Sequence, residues 1–168
     1  MNGSSPKTAT APSAAPPEPT GPAELRVEML SQPRYLSGAR DLVSAVAKRL
    51  GFDDQSCGQI ALAVDEALCN VIRHGYDRRP DGRIWLSIWP VEHSPSEPLG
   101  MKIVIEDEAK QIDPESIRGR DLEDVRPGGL GVHIIRQVMN TVRYEKREKA
   151  GMRLVLVKTH AGPDDRRG

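Results

Sequence analysis

Cysteine is scarce. Cys57 and Cys69 are the only two in 168 residues and form no CxxC pair, which excludes a disulfide framework and a structural zinc site. Aromatic side chains make up 4% of the chain: Tyr35, Phe52, Tyr76, Trp85, Trp89 and Tyr144. So few rings give no run of stacking platforms for bases, and the core must be built from Val, Ile, Leu, Ala and Met. An excess of charge is missing too, since 24 basic side chains balance 24 acidic ones. Without that electrostatic footprint, neither nucleic acid nor an anionic membrane is an expected partner. Long apolar runs are lacking: no segment approaches the roughly 18 to 20 apolar residues needed to cross a bilayer. The start of the chain lacks the basic and apolar regions of a signal peptide, so the expected location is the cytoplasm. No HExxH or Cys/His pairing suggests a transition metal.

Proline, by contrast, is plentiful and unevenly placed. Pro6, Pro12, Pro16, Pro17, Pro19 and Pro22 account for six of the 14. Residues 1–22 therefore read as a disordered leader and the polar residues 161–168 as a flexible tail, leaving 23–160 as one folded domain. Leu25, Val27 and Met29 alternate with polar neighbours, as in a strand. Pro33 then precedes a helical run of Leu36, Ala39, Leu42, Val43, Val46, Ala47 and Leu50 that stops at Gly51. A second helix is capped by Asp53 or Asp54, carries Ile60, Val64, Ala67, Leu68 and Val71 on one face, and ends near Gly75. Strands are expected at 83–89 and 101–106, joined by a Pro/Ser loop. A polar stretch follows, then a helix at 130–139 and a hairpin of strands 141–146 and 153–158 turning at Gly151. This order points to an α+β fold, a two-layer sandwich whose mixed, largely antiparallel sheet carries helices on one face. Trp85 and Trp89 share the strand face opposite Ile84, Leu86 and Ile88. The sheet thus reads as apolar on both sides there, with the second side either covered or serving as a contact surface for a dimer or partner.

Three features bear on chemistry. On the second helix, at about 100° per residue, Glu66, Asn70, Arg73 and His74 fall in one arc from about 220° to about 320° relative to Ile60. A carboxylate and an amide oxygen at i and i+4 suit a hard cation and a hydroxyl to be activated. On geometry alone a solvated face, with Glu66 paired to Arg73 or Asn70, is the commoner arrangement. Second, Pro127-Gly128-Gly129-Leu130-Gly131 opens the helix containing Val132 and Ile135. Such a start lets a phosphate approach backbone N–H groups at the positive end of the helix dipole, or is simply a turn. Neither a Walker loop nor a GxGxxG is present. Third, Asp107 closes the strand Ile103-Val104-Ile105. It suits an exocyclic amine as acceptor, and suits a turn equally well. The charged stretch between Asp107 and the glycines, with Arg118, Arg120 and Arg126, reads as a lid with an arginine for a phosphoryl group or as a solvated loop.

Taken in order, these features resemble the anti-sigma factor serine/threonine kinases, a branch of the GHKL or histidine-kinase-like ATPases with the Bergerat fold. The run Ala63-Val64-Asp65-Glu66-Ala67-Leu68-Cys69-Asn70-Val71-Ile72-Arg73-His74-Gly75-Tyr76 is similar to that family's asparagine box. Asp107 with Asp113-Pro114 resembles its first glycine box, and Gly129-Leu130-Gly131 its second. The resemblance implies ATP and Mg²⁺ as cofactors. It makes Glu66 the general base, Asn70 the Mg²⁺ ligand and Asp107 the partner of the adenine amine. Further nucleotide contacts are implied from Arg73, His74, Ala109, Asp113, Gly128, Gly129, Leu130, Gly131 and Val132. It also implies a STAS-type anti-anti-sigma protein as phosphorylation target, a sigma factor as the ligand otherwise held, and a homodimer. The chain departs from the family pattern at Ala109 and Gln111, where glycine is usual, and at Met152, where a threonine often stands. Those departures motivate an alternative: an interaction module of the same fold with weak or no catalysis.

Overall fold

A computed structural model of the chain describes residues 21–94, 97–117 and 130–160. The expectations for most of the leader, for the tail, for the lid arginines and for Gly128 and Gly129 lie outside the described residues. Strand β1 (Leu25–Leu30) leads through a short 3₁₀ turn to helices α1 (Leu36–Arg49) and α2 (Asp54–Asn70). Strands β2 (Arg83–Ser94) and β3 (Glu97–Asp107), helix α3 (Leu130–Val138), and strands β4 (Thr141–Lys146) and β5 (Met152–Thr159) complete it. Among the described residues, no helix is long and apolar enough to cross a membrane.

The helices form for reasons visible in their residues. Ala39, Val43 and Ala47 recur every four positions and form the buried face of α1. Gly51, at φ +88°, then supplies the left-handed conformation that stops the helix. At the start of α2 the Asp53 carboxylate accepts the Ser56 N–H at 2.7 Å, a cap that satisfies one of the helix's unpaired N–H groups. Ile60, Val64 and Leu68 follow, each fully buried.

The sheet runs β1-β2-β3-β5-β4. The expected sheet was mixed; every described pairing is antiparallel. Register places Val27, Leu86, Ile105, Leu154 and Tyr144 in one cross-strand row. With Ile84, Ile88, Met101, Ile103 and Leu156, the buried members of this side form a single core with the helices.

Three expectations need correction. β2 and β3 continue well into the region read as a Pro/Ser loop, with Pro90 opposite Met101. Pro90 lies beyond the last β1 partner, the Leu25–Ile88 pair, so its missing N–H is not needed by a second neighbour. Helix α2 does not continue as an α-helix to Gly75 but gives way to one turn of π-helix, Val71–Gly75. The far sheet face around the tryptophans is not simply apolar. The Arg26 and Arg147 guanidinium carbons lie 5.9 and 5.0 Å from the Trp85 ring centroid, and the Lys102 ammonium lies 5.5 Å from that of Trp89, an arrangement of cations on aromatic faces.

Candidate active site

The end of α2 is set by a lock downstream of it. Tyr76 is buried; its hydroxyl donates to the Arg83 carbonyl at 2.5 Å and accepts the Glu108 N–H at 2.8 Å. The chain reaches this position by widening its last turn, with the Tyr76 N–H bonded to the Val71 carbonyl five residues back at 2.9 Å. Such a bulge re-aims the side chains it carries. Arg73, placed by an ideal helix on the polar arc, instead lines a separate cleft with Leu36, Cys69 and Arg78. His74 stays with Asn70 on the other side.

Asn70 and His74 open onto a cavity of about 270 Å³ between the helical layer and the sheet. This is close to the lower end of the range of about 300–1,000 Å³ typical of small-molecule sites. Ala67, Val71, Ile105, Ile112, Val132 and Leu154 give it apolar walls, and Asp107, Lys110, Ser116 and Tyr144 add polar groups. Tyr144 was missed in the sequence. Its pairing with Leu154 across the β4–β5 hairpin puts it on the cavity side, and alternation within the strand could have found it.

Asp107 lines the cavity and is 4% exposed. One oxygen, Oδ1, accepts both the Ala109 N–H at 2.8 Å and the Met152 N–H at 3.1 Å. The other has no hydrogen-bond partner among the described residues. Burial pushes the carboxyl above the usual carboxylate range, against the pull of those two N–H groups and of Arg147.

Around Asp107 the hairpin turn is stitched to the loop that follows. Gly151, at φ +82°, passes so close to the Asp107 carbonyl that a side chain there would overlap it. The Arg147 guanidinium donates to that same carbonyl at 2.6 Å. The Gln111 amide donates to the carbonyls of Arg147 at 2.5 Å and Gly151 at 3.2 Å. A glycine in place of Gln111 would leave those two carbonyls without this donor.

Glu66 and Asn70 meet beneath the start of α3. A Cβ on Gly131 would lie 2.6 Å from Glu66 Oε2 and 3.4 Å from Asn70 Nδ2, so a side chain there would displace the Glu66 carboxylate from its present position. Val132, one residue on, lines the cavity, whereas Leu130 is 59% exposed. Asp113 does not line it. Its carboxylate accepts the Glu115 N–H at 3.0 Å and caps the short turn Pro114–Ser116, which brings Ser116 and Ile117 to the cavity wall. Ala109 is buried in the core rather than turned into the cavity, and its methyl would meet a Cβ on Gly75 at 3.0 Å.

Among the described residues, no group of three or more His, Cys, Asp or Glu could hold a metal ion. A Mg²⁺ site does not require one. That ion keeps several waters and is commonly bound through one or two protein oxygens plus substrate phosphates. The side chains of Glu66 and Asn70, both close to Gly131, offer hard oxygen donors of this kind.

An antiparallel sheet with helices on one face, and between the layers a cavity running from a buried carboxylate to a glycine-bearing helix start, defines a nucleotide-binding domain of the ATPase and kinase type. The chain belongs to the histidine kinase-like ATPase domain family, whose model matches residues 29–158. It is 28% identical to serine-protein kinase RsbW of Listeria monocytogenes serotype 4a over 138 residues, covering 80% of this chain and 86% of that protein. It is also 28% identical to the anti-sigma F factor of Clostridium novyi over 139 residues, 80% of this chain and 93% of that one. Among solved structures, a blue-light activated histidine kinase of Erythrobacter litoralis aligns with a TM-score of 0.50 at 18% identity. The alignment covers 79% of this chain and 42% of that kinase, and the likeness is one of fold.

Proposed function

We propose that the chain is an anti-sigma regulatory factor of the cytoplasm, an ATP-dependent kinase that phosphorylates a serine or threonine of a STAS-type anti-anti-sigma protein and otherwise holds a sigma factor. The observation that carries this reading is the meeting of Glu66 and Asn70 beneath the glycine-bearing start of α3, with Asn70 lining a cavity that also reaches the buried Asp107. The names of the relatives, a serine-protein kinase and an anti-sigma factor, support it.

In this reading the adenine lies between the apolar walls, with its amine donating to the free Asp107 oxygen. The phosphates lie toward the N-terminal end of α3, where unpaired N–H groups point outward. Mg²⁺, held through Asn70 and phosphate oxygens, would offset the charge that builds up in transfer. Glu66 accepts the proton of the partner's hydroxyl as that oxygen attacks the terminal phosphorus and the bond from that phosphorus to the β,γ-bridging oxygen breaks, releasing ADP, while the polypeptide contributes positioning and electrostatics. Val132 and His74 flank the nucleotide, and Arg73 is left out of the contact set.

Purified partner and labelled ATP test the reading. Glu66→Ala is expected to lower phosphoryl transfer by about 10²-fold or more while nucleotide affinity stays within a few-fold of wild type. Transfer at an unchanged rate would remove Glu66 from the base role. One observation favours the second reading, a module with weak catalysis: Met152 places a thioether on the cavity wall where the family often has a threonine. Saturable ATP binding together with phosphate incorporation into the partner would eliminate it.

A further inference from the structure

The side of the sheet turned away from the helices is buried at its centre. Register sets Ser87, Val104 and Val155 side by side there, with Trp89, Lys102 and Val157 in the next row. Ser87, Val104 and Val155 are each 1% exposed and Lys102 3%, yet neither Val104 nor Val155 belongs to the core that the helices share with the opposite side. Arg26 and Arg147 lie against Trp85 toward one end of this face, and no described helix packs over the middle. The Ser87 hydroxyl is buried and has no hydrogen-bond partner among the described residues. A face this dry, with an orphaned hydroxyl in it, fits an extended segment that brings both apolar groups and backbone carbonyls.

Which segment that is follows from where the chain enters and leaves the described residues. The Trp89 indole N–H donates to the Gly21 carbonyl at 3.3 Å, so the chain before Gly21 starts from this face. Ile117 lines the cavity on the helix side and Leu130 opens α3, so residues 118–129 join two points of that side. The His160 ring stacks on Phe52, a member of the helix-side core, with centroids 4.1 Å apart, which starts residues 161–168 there as well. Residues 95–96 only join β2 to β3.

The leader also has the right chemistry. Pro16, Pro19 and Pro22 recur every three residues, the period of a polyproline II helix, so they fall on one edge of it. Such helices dock on aromatic surfaces at low entropic cost, and their carbonyls are left free for a donor such as the Ser87 hydroxyl. Trp85 and Trp89 are about 13 Å apart along their strand, a span that polyproline II covers in about four residues. Glu18, the one acidic residue among 1–20, stands three residues before Gly21 and within reach of the Lys102 ammonium beside the Trp89 ring. Cations buried as deeply as Lys102 are almost always paired with an opposite charge.

We infer that the proline-rich leader is an intramolecular ligand of the outer sheet face: residues 16–20 lie across the tryptophan side as a polyproline II segment, with prolines on the indole rings and Glu18 toward Lys102. The composition that denies this segment a core of its own suits it to an aromatic face already built. The docked leader lies on the side opposite the cavity and leaves the nucleotide site open.

Trp85 and Trp89 are the chain's two tryptophans, so indole fluorescence of the full chain without nucleotide reads this face directly. Wild type is expected to show blue-shifted emission and slow quenching by acrylamide, both independent of protein concentration. Pro16→Ser, Pro17→Ser and Pro19→Ser combined in the full chain leave the folded domain unaltered. They should shift the emission to the red and speed quenching several-fold, and Glu18→Lys should do the same to a smaller extent. A benzophenone amino acid in place of Ala15 should cross-link on illumination to β2, β3 or β5 of the same chain, as mass spectrometry of mixed heavy and light protein would show. Tryptophans open to acrylamide in wild type, or quenched equally in wild type and the combined proline variant, would overturn the proposal. So would shielding that grows with protein concentration or cross-links between heavy and light chains, either of which gives the face to a second copy.

Discussion

Asp107 shows how one residue divides its work. Its Oδ1 holds the backbone of Ala109 and Met152 in place, and the second oxygen is left for a ligand. Because burial raises its pKa, the native state takes up this proton at a higher pH than the unfolded chain does. Its contribution to stability is therefore fully present below the unfolded carboxylate value and is lost as pH rises through the raised one. At neutral pH the ionised form is held unfavourably, as expected of an acceptor kept for an incoming amine. Asp107→Asn keeps an oxygen for the two N–H groups and removes the buried charge. It is expected to melt no lower than wild type at neutral pH while binding ATP about 10- to 100-fold more weakly, as titration calorimetry would read. Wild-type affinity should fade on acidification as the carboxyl protonates, beginning above the range of an ordinary aspartate. Equal affinity of the two proteins would take Asp107 out of the adenine site. The position of Asp107 was legible from the apolar run Ile103-Val104-Ile105 before it, but the division between its oxygens was not. That division depends on Met152, a residue 45 positions away that the sheet brings alongside.

The same contrast recurs between α2 and its continuation. Apolar spacing made α1, α2 and α3 legible, and the cap of α2 was readable as Asp53 or Asp54, of which the structure uses Asp53. Nothing in Val-Ile-Arg-His-Gly marks a π turn, because its cause lies elsewhere, in the burial of Tyr76 and the two bonds of its hydroxyl. An ideal wheel sets Asn70, Arg73 and His74 on one arc, whereas in the structure Asn70 and His74 line the cavity and Arg73 a separate cleft. The glycine at the end of this turn is matched to a residue that looked like a defect. Ala109 stands where glycine is usual, and its methyl fits because Gly75 has none. Gly75→Ala is expected to cost about 1–3 kcal/mol by overpacking. Ala109→Gly in that background should return much of the loss, giving a coupling of about 0.5 kcal/mol or more in a double-mutant cycle of urea midpoints. Strict additivity of the two changes would mean that the pair does not share the space.

For the whole molecule, the hairpin neighbours β2–β3 and β4–β5 could be read from strand order and turn residues. The contacts of β1 with β2 and of β3 with β5 are long-range and follow from closing the apolar face over the helices. The cavity depends on those long-range contacts, since its walls come from α2, the π turn, β3, the segment after Asp107, α3, β4 and β5. A ligand seated there touches most of the fold, and the unfolded chain offers no comparable site, so its binding energy should appear as stability. At about 100 times its dissociation constant, a ligand specific for the native state adds about 2.7 kcal/mol. For a domain of this size that corresponds to a rise in melting temperature of about 10 °C. ATP with Mg²⁺ is expected to produce that shift in wild type, and Asp107→Asn should respond far less at the same concentration. Hydrogen exchange in the same samples should slow at 107–117 and 130–138 together, because one ligand bridges both. A full shift in Asp107→Asn, or protection confined to one of the two segments, would mean that the nucleotide does not span from the buried carboxylate to the start of α3.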